Sequence, residues 1–317
     1  MMLDVISIGD AMITMNPKSR GPLMFSHEFE RKMGGAELNL IVGCARLGLQ
    51  PGWISRFGQD GFGRYILNYM RGEGVDVSRT KLLENYRTPL NIKEVLEDGS
   101  GSTFYYRFPS PTEDITPADM EENYLKQARV FYISGVFLSL AGKNLDIIKK
   151  GIQIAKKHNR MVALDPNIRL KLWSREQARE TMLPILPDVD IMMSGKEEAD
   201  LLFGEQPDEA HLETFGQYGI SYVALKKGGE GASGWFSGEG STFVPPESVK
   251  VVDTVGAGDG FNAGFLYSIL RGFDLKRSLR FANTVGAMVT GVSGDNEGLP
   301  YLESVQTALG ERQHIER

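Results

Sequence analysis

The 317-residue sequence holds a single cysteine, Cys44, and four histidines, His27, His158, His211 and His314. One thiol forms no internal disulfide, and its place on the apolar side of an expected helix makes core packing its role. The histidines are scattered without metal-ligand spacing, so a dedicated zinc site is not expected. No window reaches the roughly 18 consecutive apolar residues of a membrane-spanning helix. The opening "MMLDVISIGDAMITM" lacks the basic-then-apolar order of a signal peptide. A cytosolic protein without membrane attachment is the expectation. Basic blocks and tails are also missing, and the formal net charge is −6. Binding to a phosphate backbone needs clustered Lys and Arg, which sets nucleic acid aside as a partner.

Familiar phosphate-binding signatures are missing too. No stretch supplies the G-x-x-x-x-G-K-[ST] of a P-loop, and no H-R-D or D-F-G supports a protein-kinase reading. The string "GEGASG", Gly229 to Gly234, fits G-x-G-x-x-G. However, "WFSGEGSTFV" follows it, a strand and turn where a dinucleotide fold needs a helix. Internal repeats and low-complexity segments are absent as well.

Hydrophobic residues make up 41% of the chain and charged residues 24%, the composition of a soluble globular protein with a sizeable core. The length suits two domains of roughly 150 residues or one large α/β unit. "LDVISIGD" (Leu3 to Asp10) reads as a buried strand, and "AELNLIVGCARLG" from Ala36 as a helix stopped by Gly48. "PGWISRFG" then reads as a strand and "FGRYILNYMRGEG" as a helix. Further strands are expected at Val130 to Ser134, Met161 to Asp165, Val189 to Met193 and Ser221 to Lys226, with "NLDIIKKGIQIAKKHN" and "EEADLLFG" as helices among them. This alternation predicts a mostly parallel sheet with helices on both faces. Two stretches break it, Met12 to Lys32 and Thr80 to Thr112; the second alternates apolar and polar residues on both sides of Asp98-Gly99, a hairpin signal. Together they predict a small antiparallel flap inserted in two pieces.

In such sheets ligands bind beyond the carboxyl ends of the strands. The first suspects are therefore Asp10, Arg56, Gly135, Asp165-Pro166-Asn167, Ser194 and the loop from Lys226 to Gly231. One more loop stands out in "VDTVGAGDGFNAGFL", Val252 to Leu266. Strand-like "KVVD" precedes it, and a helix follows with Phe261, Phe265, Leu266, Ile269 and Leu270 as an apolar stripe. The N–H groups of Gly256, Ala257 and Gly258 would lie at the positive end of the helix dipole, a place that suits a phosphate. Asp259 can then accept the proton of an acceptor hydroxyl. Its ordinary pKa of about 3.9 makes it a weak base, yet phosphoryl transfer depends mostly on positioning and charge neutralisation. A plain capped turn explains the same spacing, and the residues alone leave both readings open.

"DTVGAGDGFNAGF" resembles the C-terminal signature of the ribokinase-like (PfkB) sugar kinases, and "GGAELNLIVGCARLG" with "SRFGQDGFG" resembles their N-terminal signature. The resemblance covers nearly the whole chain in the family's order. It implies one doubly wound α/β kinase domain over 1–317, carrying a discontinuous β-lid from about 12–33 and 86–113. It implies ATP and magnesium, with Asp259 as the base and Gly256, Ala257 and Gly258 as an anion hole for the phosphoryl group. Lys226, Gly228 and Gly231 match the nucleotide loop, and Asn283, Gly286 and Ala287 match the helix beside adenine. Asp253 stands where relatives bind a monovalent cation such as potassium. The N-x-x-E motif that organises magnesium through water appears as "SGKE", with Ser194 in place of asparagine and Glu197 retained.

"DPNIRLKLW", "YYRF" and "GDNEGLP" resemble the 2-keto-3-deoxygluconate kinases within that family. The resemblance implies substrate contacts from Tyr105, Arg107, Arg169 and Asp295, with Asp10, Gly34, Gly35 and Asn39 around the same cleft. Guanidinium groups suit the carboxylate of a sugar acid. Blander roles exist for each: an exposed helix-start charge for Arg169, lid packing for Tyr105, turns for Asp10 and Asp295, and a tight helix start for Gly34 and Gly35. Asn91 in "PLNIKE" replaces a tyrosine usual in that subfamily, which keeps a fructokinase or another ketose or keto-acid kinase as the alternative. A non-catalytic sugar or nucleotide sensor is the alternative from another class. A dehydrogenase is opposed by "GDAMITM", which carries no glycine fingerprint after the first strand. A homodimer through the lid, or a higher homo-oligomer, is the expected assembly.

Overall fold

The structure, a computed structural model, describes residues 2–98 and 100–312; Gly99 of the expected hairpin and His314 lie outside the described residues. The strands run in the order β1 (Leu3–Ile8), β2 (Met12–Pro17), β3 (Phe29–Gly34), β4 (Pro51–Gly58), β5 (Asp76–Leu83), β6 (Leu90–Lys93), β7 (Thr103–Tyr106), β8 (Ala128–Ser134), β9 (Met161–Asp165), β10 (Ile191–Gly195), β11 (Tyr222–Lys226), β12 (Ala232–Phe236) and β13 (Gly240–Val244). The helices are α1 (Ala36–Arg46), α2 (Gly61–Gly72), α3 (Glu122–Leu125), α4 (Gly135–Leu140), α5 (Asn144–Lys157), α6 (Arg175–Met182), α7 (Lys196–Phe203), α8 (Asp208–Gln217), α9 (Ala257–Leu270), α10 (Leu275–Thr290) and α11 (Leu302–Ala308).

Nine strands form one sheet in the order β13-β12-β11-β10-β9-β8-β1-β4-β5. Pairing is parallel from β5 across to β11, and β12 and β13 add an antiparallel edge. Alternate side chains feed two cores. Val5, Trp53, Val130 and Tyr132 pack with α1, α2, α9 and α10, whereas Ile6, Ile8, Ile54 and Phe131 pack with α5 to α8 on the other face. Cys44 is buried in the first core. The sheet is doubly wound, as expected, and the order reverses between β1 and β8, where a ligand crevice opens in folds of this type. Among the described residues no helix is long and apolar enough to cross a membrane.

A second sheet has four strands in the order β3-β2-β6-β7. Its two hairpins come from the two predicted pieces, but β2 and β6 pair in parallel, so the flap is mixed and not purely antiparallel. Two separate insertions can meet in either sense because no short turn joins them. Lys32, Thr14, Asn91 and Tyr105 form one row across this sheet and share a face.

One further expectation fails. "KVVD" is not a strand: Val252 and Asp253 instead donate their N–H groups to the Thr290 carbonyl at the end of α10 (2.8 and 3.1 Å). Pro245 and Pro246, just after β13, lack the donors that would continue a ladder. Conversely, β5 was not foreseen. It is an edge strand, "DVSRTKLL", whose charged residues hide the apolar alternation of a half-buried strand.

Small residues bring the helices above the first core together. A Cβ on Gly43 of α1 would lie 2.8 Å from Ala263 Cβ on α9, and one on Gly264 would lie 3.0 Å from Ala282 Cα on α10. Arg46, at the end of α1, then fastens the late loop by donating to the carbonyls of Asn296 and Leu299 (3.0 and 2.9 Å) while pairing with Glu73. Replacing Gly43 by Val should push α1 off α9 and cost about 1–3 kcal/mol of stability, as overpacking does. Thermal unfolding checks this, and a variant as stable as wild type contradicts the close-approach role.

Candidate active site

Helix α9 begins at Gly256, whose φ of 78° is a left-handed conformation that favours glycine. The carbonyl of Asp295 lies against Gly256, and the Asp295 carboxylate lies against Gly34; a Cβ on either glycine would collide with it. Both bare positions therefore admit the late loop, a packing reason that the motif alone did not reveal. Gly35 is bare for a similar cause, with φ 148° and the Asp10 carbonyl 2.8 Å from where its Cβ would stand. At the start of α9 the N–H groups of Gly256, Gly258 and Asp259 have no acceptor among the described residues, whereas that of Ala257 turns back to Thr254 (3.3 Å). Uncovered donors at a helix N-terminus form an anion-binding position.

Asp259 is buried beside these donors. Its Oδ2 accepts from Asn39 Nδ2 on α1 at 2.8 Å. Burial pushes its pKa from 3.8 to about 7; the Asn39 hydrogen bond pulls down, Asp165 pushes up, and Lys226 and Arg169 pull down. A carboxyl titrating near neutrality is a better-matched base than an ordinary aspartate. Next to it Lys226, at the end of β11, donates to Asp165 (3.2 Å) and Asn262 (3.1 Å), and Asn262 donates to Asp165 (2.7 Å). Asp165, the last residue of β9, is one of the post-strand residues expected at the ligand end of the sheet. Asn262 is absent from the expected site residues, although its spacing of three from Asp259 puts both on one face of α9.

The acceptor-side residues gather under the second sheet. Arg107 grips Asp10 with two hydrogen bonds (3.0 and 2.6 Å), and both are buried. Lys93 on β6 pairs with Asp295 at 3.1 Å, a contact missed from the sequence although the residue stands in the quoted "PLNIKE". Asn91 reaches Thr14 Oγ1 (3.3 Å) and Met12 Sδ (2.9 Å), and its buried Oδ1 has no partner among the described residues. Tyr105, opposite Asn91, is 53% exposed. Arg169 is exposed, and its guanidinium makes no hydrogen bond or ion pair among the described residues. Its field nevertheless reaches Asp259.

On the other side of α9, Asn283 staples the end of β13 by donating to the carbonyls of Val244 (3.2 Å) and Pro245 (3.1 Å). Gly231 (φ 107°) lies against the same Val244 carbonyl, and Gly228 has φ 55°. Gly286 packs against the Ala257 carbonyl, and Ala287 is half-buried beside it. At the start of α7, Ser194 is buried with its hydroxyl on the Gly195 carbonyl (2.9 Å), and Glu197 is exposed. The neighbouring Glu198 accepts from Gly195 and Ile168 (2.7 and 2.9 Å), and burial followed by Asp165 raises its pKa. Asp253 accepts from Val255 and Gly294 (3.1 and 3.3 Å). Among the described residues no cluster of three or more His, Cys, Asp or Glu forms a metal cage.

A match to the pfkB family of carbohydrate kinases extends over residues 2–302. The chain belongs to this family. It is a phosphotransferase with an alcohol group as acceptor, and its fold is ribokinase-like. The chain is 32% identical to a 2-dehydro-3-deoxygluconokinase of Bacillus subtilis over 321 residues, covering 99% of this chain and 98% of that one. It is 29% identical to a 5-dehydro-2-deoxygluconokinase of Clostridium tetani over 319 residues, covering 98% and 94%. Among solved structures it is similar to a putative ribokinase II from E. coli in complex with ATP and magnesium. There the identity is 26% and the TM-score 0.89, covering 98% of this chain and all of that one (100%).

A base must be ionised to accept a proton, so kcat/KM of this kinase should fall as pH drops below about 7, approaching tenfold per pH unit. Asn39→Leu removes a donor that favours the ionised form and should shift that limb upward, by roughly half a unit or more. Coupled-assay pH profiles of both proteins test this. Identical limbs would contradict the part given to Asn39.

Proposed function

We propose that the protein transfers the γ-phosphoryl group of ATP to the terminal hydroxyl of 2-keto-3-deoxygluconate, forming 2-keto-3-deoxy-6-phosphogluconate. The observation that carries this reading is the buried Asp259 carboxyl beside uncovered N–H groups, with the unpaired Arg169 guanidinium near enough to act on it. Asn39 holds Oδ2, while Oδ1 has no partner among the described residues and is left to take the hydroxyl proton. As the substrate oxygen bonds to the γ-phosphorus, the bond to the bridging oxygen breaks and ADP leaves with those electrons. The N–H groups of Gly256, Gly258 and Asp259, with Lys226 alongside, would hold the charge of the moving phosphoryl group.

The exposed Glu197 carboxylate at the start of α7, with Ser194 nearby, fits magnesium held through water, since magnesium keeps several waters and binds through one or two carboxylates and substrate phosphates. When bound, magnesium neutralises charge on the β- and γ-phosphates. Gly228, Gly231, Asn283, Gly286 and Ala287 would border the nucleotide, and Asp253 would lie beside a monovalent cation such as potassium. The second sheet would act as a lid that excludes water. Its exposed Phe104, Tyr106 and Phe108 support a homodimer formed through it.

Arg169 supports an acidic acceptor, because an exposed guanidinium without a partner suits a carboxylate. A second reading, 5-keto-2-deoxygluconate, is favoured by Asn91, whose unpartnered Oδ1 offers an acceptor for a hydroxyl, and by the 29% identical relative.

Asp259→Asn should lower kcat by about a thousandfold while ATP binding persists; unchanged turnover would refute the base. Arg169→Ala should raise the acceptor KM roughly tenfold or more with little change for ATP, and an equal effect on both refutes the carboxylate contact. An ADP-release screen over 2-keto-3-deoxygluconate, 2-keto-3-deoxygalactonate, 5-keto-2-deoxygluconate, fructose and ribose decides the acceptor. No ADP release with any sugar would favour a non-catalytic sensor.

A further inference from the structure

Glu37, in the first turn of α1, is fully buried. Its Oε1 accepts the Phe137 N–H at the start of α4 (3.2 Å), and its side chain lies so close to Gly9 that a Cβ there would collide with it. Gly9 follows β1 and α4 follows β8, the neighbours between which the strand order reverses. The carboxyl group therefore closes the floor of the ligand crevice. Its Oε2 is buried and has no partner among the described residues.

The charges around it are unbalanced. Asp10 after β1 and Asp259 on α9 bear the same sign as an ionised Glu37, Arg107 beyond β7 the opposite sign, and Tyr132 on β8 faces it as a buried phenol. Helix α4 brings only backbone and no charged side chain. Arg107 is the cation whose field reaches Glu37, and it already commits two donors to Asp10; Lys226 is engaged with Asp165 and Asn262. An uncompensated buried charge is strongly unfavourable.

We propose that Glu37 is a positioning residue that works as a neutral carboxylic acid, bracing α1 against the crevice while keeping a further negative charge away from Asp10 and Asp259. Burial first, then Asp10, raises its pKa from 4.5 to about 8, in line with that role. A nucleotide triphosphate and a sugar acid both bring negative charge to this space, so the retained proton spares them additional repulsion. That consequence rests on the sugar-acid reading, whereas the brace does not.

A carboxyl with a raised folded-state pKa makes the fold lose stability as pH climbs from 4.5 through about 8. Glu37→Gln keeps the shape of the neutral acid and has no proton to lose. The melting temperature of the variant relative to wild type should therefore rise across that interval, by about 3 °C or more. Asp259 titrates in both proteins, so its own contribution is largely common to the two curves. The KM of wild type for an anionic acceptor should also climb above about pH 8 while that of the variant stays level. Parallel melting curves overturn the proposal, and so does a loss of turnover at neutral pH as deep as that of Asp259→Asn. A variant that does not fold overturns it too, because the amide reproduces the neutral form. The melting comparison needs no acceptor, so its failure is distinguishable from failure of the substrate reading.

Discussion

The hydrogen bond from Asn39 to Asp259 joins two helices, and most of the site depends on the close contact that permits it. Gly43 and Ala263 let α1 and α9 approach, which sets a donor against a carboxyl otherwise buried among other acids. Burial alone would hold that carboxyl protonated. The amide of Asn39 and the cations Lys226 and Arg169 draw its pKa back down, to about 7. That carboxyl is thus tuned by groups on α1, on β11 and beyond β9.

Charge crowding is the second constraint. Asp10, Glu37, Asp165, Asp259 and Glu198 converge on the carboxyl ends of the central strands, and each is managed differently. Asp10 has a guanidinium fork, Asp165 an ammonium and an amide, and Glu198 two backbone N–H groups. Glu37 has one N–H and, on our reading, its own proton. Two of the ion pairs also cross from the small sheet to the body, Arg107 to Asp10 and Lys93 to Asp295. They tie the small sheet to the body.

The loops that carry chemistry were legible in the sequence because glycine and short apolar runs punctuate an α/β chain strongly. Asp10, Asp165, Ser194 and Lys226 were found simply as residues following strands. Other assignments needed coordinates. Asn283 looked like a nucleotide contact, but its amide also staples the end of β13; Gly34 and Gly256 looked bare for a ligand, but Asp295 occupies both approaches. Glu198 and Asn262 carry no separate signal in the sequence, because each stands next to, or one turn from, a residue that matches a motif.

Periodicity and spacing in the chain therefore determined the doubly wound sheet, the two-piece insertion and the loop that presents Asp259, since these are local patterns of apolar residues and backbone freedom. Tertiary structure alone decided the mixed pairing of the lid, the loss of the expected strand at 250–253, and the raised pKa values of Asp259 and Glu37. Those depend on which groups meet across long stretches of chain, and on how much water is excluded when they do. A sequence lists charges, whereas only the folded arrangement determines which of them must be neutralised.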